Sequence, residues 1–297
     1  MKICVCVLRV VAVWAMMTGQ GIAVAGPKGL GNDVELIRLA APAVAKPLSK
    51  AVVADHDVEG IAVFEISGDY GRNNAQARAD VARRYFERYQ DDHDLLLVFS
   101  DFEFDTGEAA AFANIVKNDT QGLGLPAFDS TAAFGSGSGR LHNYIDMAAL
   151  SRWEFNPSSA RYGTTLDVAA HEVMHRWVAH PKFMRDGQPS ADLLGRDLAH
   201  WNFFLDSDAS IMYGSDWRQG TDGQFEAIDI RHRLSPLDLY LAGFFAAAEV
   251  PAMTLIRGGL GDLGKFLGRA VCFSYCRQLS RPGIILTASG CALVAAV

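Results

Sequence analysis

The chain has 297 residues, half of them apolar, which is enough for one large or two small domains with a real core and excludes a disordered or fibrous protein. A formal net charge of −7 and a pI near 5.6, without any Lys/Arg block, argue against a nucleic-acid binder.

Met1-Lys2, an apolar run broken only by Arg9, and Ala23-Val24-Ala25 before Gly26-Pro27 have the layout of a secretory signal with a small-residue cleavage site. Residues 1–25 are therefore expected to be a signal peptide, placing the mature chain outside the cell or in the periplasm. The clean apolar run from Val10 to Met17 is too short to span a bilayer, so no stable membrane anchor is expected. Cys4 and Cys6 would leave with the signal, and Cys272, Cys276 and Cys291 allow at most one disulfide and a free thiol.

Residues 26–50, rich in Ala, Pro, Gly and Lys, read as a leader or linker. An N-terminal sheet subdomain is expected over 51–160. "GIAVFEISGDYG" from Gly60 has the pattern of a strand closing in a Gly-bounded turn. In "NNAQARADVARRYFERYQ", Val81, Tyr85 and Tyr89 recur every four residues behind Asn74 as a cap, which predicts a helix. "DLLLVFSDF" follows as a buried strand, so strand, helix and strand imply at least one parallel pair. "AAAFANIVKND" and "RLHNYIDMAAL" are further strands, and the Gly/Ser run Gly135–Gly139 lacks the Gly-Lys-Ser/Thr ending of a phosphate loop. Asp101, Glu103 and Asp105 alternate as on one solvated face of a strand end.

The segment with most chemistry is "TTLDVAAHEVMHRWVAHPKF". Thr164 and Asp167 have capping-box spacing and Pro181 is a stop, which predicts a helix from about Thr164 to Ala179. At about 100° per residue, His171 and His175 fall on one face, where both imidazoles can reach one Zn²⁺ at about 2.0–2.1 Å. Glu172 lies at the rim of that face, where a carboxylate can take a proton from a metal-polarised water and pass it to a leaving amine.

A catalytic zinc needs a third protein ligand and an open position. His180 is nine positions from His171 and would point away on a continuous helix, so it reads as a helix-end histidine. His200, 25 positions after His175, is the better candidate, with Asp206 and Asp208 as carboxylate rivals. An oxyanion stabiliser could be Tyr213, His232 or Tyr240. Asp216, Asp222 and Glu226 have the flavour of a calcium loop, but the spacing fits an Asp-Gly turn better.

His171-Glu172-Val173-Met174-His175, then His200-Trp201, Ser210–Gly214 (SIMYG) and Leu234–Gly243 (LSPLDLYLAG), together resemble the zincin metallopeptidases, close to a group of secreted bacterial members. The set spans about Thr164 to Gly243. SIMYG looks like a metzincin Met-turn, yet the extended metzincin motif is absent, and where gluzincins use a distant Glu this chain offers His200.

The resemblance implies an α+β, zincin-like fold: a mixed β-sheet packed on the HExxH helix, with a mainly helical C-terminal subdomain. Metal-binding helix and subdomain would occupy 161–256. It implies a secreted zinc endopeptidase with His171, His175 and His200 as ligands and Glu172 as general base. An extended peptide or protein would pair with "AFANIVKND" as an edge strand. The alternative is a secreted binding protein on an inactive zincin scaffold. Residues 257–297, with Asp262 as sole acid against five Lys/Arg, form an atypical tail expected to reflect truncation or a frameshift.

Overall fold

A computed structural model describes residues 2–8, 34–35, 52–58, 61–107, 109–195, 197–221, 224–229, 233–256, 285–287 and 291–294. The expected leader (apart from 34–35), His232, Asp222, Cys272 and Cys276 lie outside the described residues. The chain forms two compact units, Met1–Asp119 with Pro126–Arg176, and Thr120–Leu125 with Trp177–Val297.

The first unit is built on one sheet. Its strands are β1 (Lys2–Leu8), β2 (Val34–Glu35), β3 (Val52–Val58), β4 (Ile61–Ile66), β5 (Leu95–Ser100), β6 (Phe112–Ile115) and, beyond the small pair β7 (Lys117–Asn118) and β8 (Phe128–Asp129), β9 (Asn143–Ala149). The order is β3-β4-β1-β5-β9-β6, with β2 on β1. The expected strands β4, β5, β6 and β9 are all present. The parallel pair is β5 with β9, in register Leu95 to Asn143, whereas β4 and β5 are separated by β1, antiparallel to both.

Helix α1 (Ala75–Phe86) forms where the four-residue spacing predicts it, and the Asn74 side chain accepts the Ala77 N–H at 3.0 Å. Val81, Ala82 and Tyr85 pack on Phe64, Leu96, Val98 and Tyr144. In β9 the alternation sets Tyr144 and Asp146 toward α1 and leaves Ile145 and Met147 for the opposite face. Arg78 of α1 is wholly buried against Asp146 at 2.9 Å.

Residues 2–8 of the expected signal segment make a strand between β4 and β5. The β-branched, apolar composition that suits a signal core also suits a strand with sheet neighbours on both sides. A removed segment and a central strand are mutually exclusive in one mature chain. Residues 9–25 lie outside the described ones. Among the described residues, no helix is long and apolar enough to cross a membrane.

Helix α2 spans Tyr162–Met174 and packs against β9 and β6. It departs from expectation at both ends. The Thr164/Asp167 capping box does not form, because the helix begins before it, at Arg161 as N-cap. Thr165 instead exchanges hydrogen bonds with the Glu154 backbone, both at 3.0 Å. The helix stops with His175 as C-cap, short of Ala179, and Trp177, Val178 and Ala179 are buried in the second unit. Apolar periodicity reported burial without saying which core would receive the residues. The HExxH helix thus belongs with the sheet, where the sequence placed it with the C-terminal subdomain.

The second unit corrects the expectation of a mainly helical subdomain. Its described residues are mostly short antiparallel strands and turns: hairpin β10 (Phe183–Arg185) with β11 (Gln188–Ser190), β12 (Leu205–Asp206), β13 (Asp216–Gln219), β14 (Gln224–Asp229), helix α3 (Pro236–Leu241), β15 (Met253–Ile256), β16 (Ile285–Thr287) and β17 (Cys291–Val294). Large apolar residues such as Trp201, Met212 and Trp217 are interleaved with Asp, Ser and Gly, which break helices and favour turns. A small core gathers Trp217, Phe225 and Ile256 with Phe203 and Phe204.

Candidate metal and catalytic site

In α2, His171 and His175 are one turn apart, the His175 N–H reaching the His171 carbonyl at 3.3 Å. Their rings meet edge to face with centroids 4.8 Å apart. One nitrogen of each lies within 4.8 Å of the other, close enough for both to serve one ion. His171 is buried and His175 half-buried.

Glu172 is 5% exposed. Burial pushes its carboxyl up to about 8; the Ala113 backbone N–H opposes that shift and the Asp146 charge adds to it. Its Oε2 has no hydrogen-bond partner among the described residues. An orphaned buried carboxylate oxygen is costly unless something meets it in function. Ala113 lies on β6, the terminal strand of the sheet, opposite Ile145 of β9. Edge strand and carboxylate are therefore joined by one hydrogen bond, which needs the close packing of α2 against β6 and β9.

His200 belongs to the second unit and is held on two sides there. Its Nδ1 bonds to Asp197 Oδ2 at 2.5 Å, which puts the proton on Nδ1 and the lone pair on Nε2. Partial burial alone would raise the Asp197 carboxyl, but the His200 ring and the backbone N–H groups of Ala199 and His200 hold it down to about 2. Tyr213 stacks on the His200 ring at 4.2 Å and 28°. Tyr213 has φ +78°, a left-handed backbone that a non-glycine residue holds only when its surroundings impose it. Gly214 beside it allows a close approach, since a Cβ there would sit 1.7 Å from Ser207 Oγ.

The rival ligands have other partners. Asp206 accepts the Trp217 N–H at 3.1 Å, and Asp208 pairs with Arg233. Tyr240 lies in α3 and His180 is buried beyond the end of α2. Asp216 and Glu226 sit on the strands of the β13–β14 hairpin, as an intervening turn requires. Glu103 follows β5 in a loop and binds Arg152 and Ser151 rather than forming a strand face with Asp101 and Asp105.

Within the first unit, two imidazoles one turn apart with a buried carboxylate between them in the sequence are side chains of the type that bind zinc and serve it. The sequence reading did not single out Asp197, although its i−3 spacing to His200 was visible. Ala113 carried no signal, because it contributes only a backbone N–H. Asp238 lay inside a noted motif without a role. Compared with protein families, curated proteins and solved structures, the chain matches none.

Proposed function

We propose that the protein is a secreted zinc-dependent endopeptidase of zincin type. The observation that carries the reading is Glu172: a buried carboxyl with one oxygen bonded to the edge-strand N–H of Ala113 and the other without a hydrogen-bond partner among the described residues, on the helix that carries two imidazoles one turn apart. A purely structural helix gains nothing from this arrangement, since an uncompensated buried carboxyl destabilises it.

His171, His175 and His200 are the proposed ligands. Zinc held by them would supply a Lewis acid that lowers the pKa of a water from 15.7 to about 7. In its ionised form Glu172 takes the proton of the attacking water at Oε2 and returns it to the leaving amine. The Ala113 N–H keeps that oxygen aimed by holding the other. β6 has no strand neighbour on its outer side among the described residues, and an extended peptide would add there through backbone hydrogen bonds.

The test is Glu172→Gln in the full chain, with zinc content measured beside cleavage of an unfolded protein substrate. Zinc retained with hydrolysis reduced at least about 100-fold, the low end for a general base, is the expected result. Undiminished hydrolysis overturns the role of Glu172. Zinc bound by the parent without turnover on any peptide supports the binding-protein alternative instead.

A further inference from the structure

We propose that Asp238 is a positioning residue for His200, closing a buried hydrogen-bonded frame that fixes the imidazole on the second unit. The inference rests on the reading of His200 as a zinc ligand.

Asp238 lies in the first turn of α3 and is fully buried. Each carboxylate oxygen accepts from a group that can only donate: Oδ1 from Trp201 Nε1–H at 2.7 Å, Oδ2 from the Ser235 backbone N–H at 2.7 Å. Oδ2 also accepts the Ser210 hydroxyl at 2.6 Å. The Asp238 N–H in turn donates to Ser235 Oγ at 3.2 Å, completing a capping box.

These bonds close a circuit. The Trp201 N–H donates to the Met212 carbonyl at 2.9 Å, and the Met212 N–H donates to Ser210 Oγ at 2.9 Å. Asp238 therefore ties Trp201, through its indole, to Ser210, while the backbone ties Trp201 to Met212 on the other side. His200 precedes Trp201 and Tyr213 follows Met212, and those two rings are the stacked pair. The frame thus ends in the His200–Tyr213 stack. One carboxylate joins the three downstream motifs, His200-Trp201, SIMYG and LSPLDLYLAG, within a single unit.

The chemistry is specific to a carboxylate. In Asp238→Asn the amide NH₂ must face either the indole N–H or the Ser235 N–H, a donor against a donor at a site without water access. Outer-shell groups that orient a metal-binding histidine typically change metal affinity by roughly 10–100-fold when removed.

The experiment compares zinc affinity and the visible spectrum of the cobalt-substituted protein for the parent, Asp238→Asn, Trp201→Phe and His200→Ala, with thermal melts alongside. Asp238→Asn is expected to melt cooperatively, bind zinc roughly 10–100-fold more weakly and shift the cobalt bands, with Trp201→Phe moving in the same direction. The Phe variant keeps an apolar ring and carries the test if Asp238→Asn does not fold. Parent affinity and spectrum in a folded variant, while His200→Ala loses the metal, overturn the positioning role and leave the function standing. No zinc in the parent overturns the function and this inference with it.

Discussion

Replacing Arg78 by Met tests what holds the sheet to α1. The Arg78 guanidinium lies 2.9 Å from Asp146 through Nη2 and donates from Nη1 to the Gly71 and Asn74 carbonyls at 2.9 and 3.0 Å. It also sits 4.7 Å from the ring centroids of both Tyr70 and Phe112. Methionine fills most of the aliphatic volume, so the dominant loss is electrostatic. Removing one partner of a buried pair costs about 3–5 kcal/mol, because the other charge is stranded.

Burial already pushes the Asp146 carboxyl above its ordinary range with Arg78 present. Without Arg78 it protonates more readily, which sets the expected cost near the lower end, about 3 kcal/mol. For a unit of this size that lowers Tm by roughly 6–12 °C. Adding Asp146→Asn should make the double variant less unstable than the sum of the singles, since the stranded charge is gone. Urea unfolding followed by tryptophan fluorescence and circular dichroism measures all four corners of the cycle. A loss below about 1 kcal/mol in Arg78→Met, or strict additivity, would falsify the stranded-charge argument.

Three further outcomes follow from particular residues. The Arg152 guanidinium and the Ser151 hydroxyl hold the Glu103 carboxyl below the usual range, so the pair stabilises the fold above the unfolded carboxylate pKa of about 4.3. That contribution is lost as pH falls through the lower folded value; Glu103→Gln should flatten the acid limb of stability against pH, and an unchanged limb refutes the assignment. Gly214→Ala places a methyl 1.7 Å from Ser207 Oγ and is expected to cost about 1–3 kcal/mol by overpacking, which a melt within 1 °C of the parent would contradict. N-terminal sequencing of the mature protein decides between the two roles of residues 2–8: a start at Gly26 supports secretion and removes β1 from the sheet, whereas an intact Met1 start keeps β1 between β4 and β5 and removes the argument for secretion.

Much of the first unit was legible in its local patterns. The four-residue spacing of Val81 and Tyr85, the Asn74 cap and the continuous apolar run of β5 each specify an element through contacts within a few residues, and all three are where the patterns put them. The end of α2 was not legible, because Trp177 to Ala179 are as apolar as a helix face requires but are buried in a different unit. The strand-rich second unit was misread because single large apolar residues among turn formers give neither a helical nor a strand period.

By itself the sequence determined that His171 and His175 share a helix face with Glu172 beside them, since helix geometry converts i and i+4 into neighbours wherever that helix sits. Only the tertiary structure decided that Glu172 is buried with one oxygen on the edge strand and one without a partner among the described residues, that Asp197 sets the tautomer of His200, and that Asp238 binds three separate motifs into one frame. Burial and hydrogen bonds between distant residues depend on which surfaces the folded chain brings together, and local periodicity carries no record of those partners.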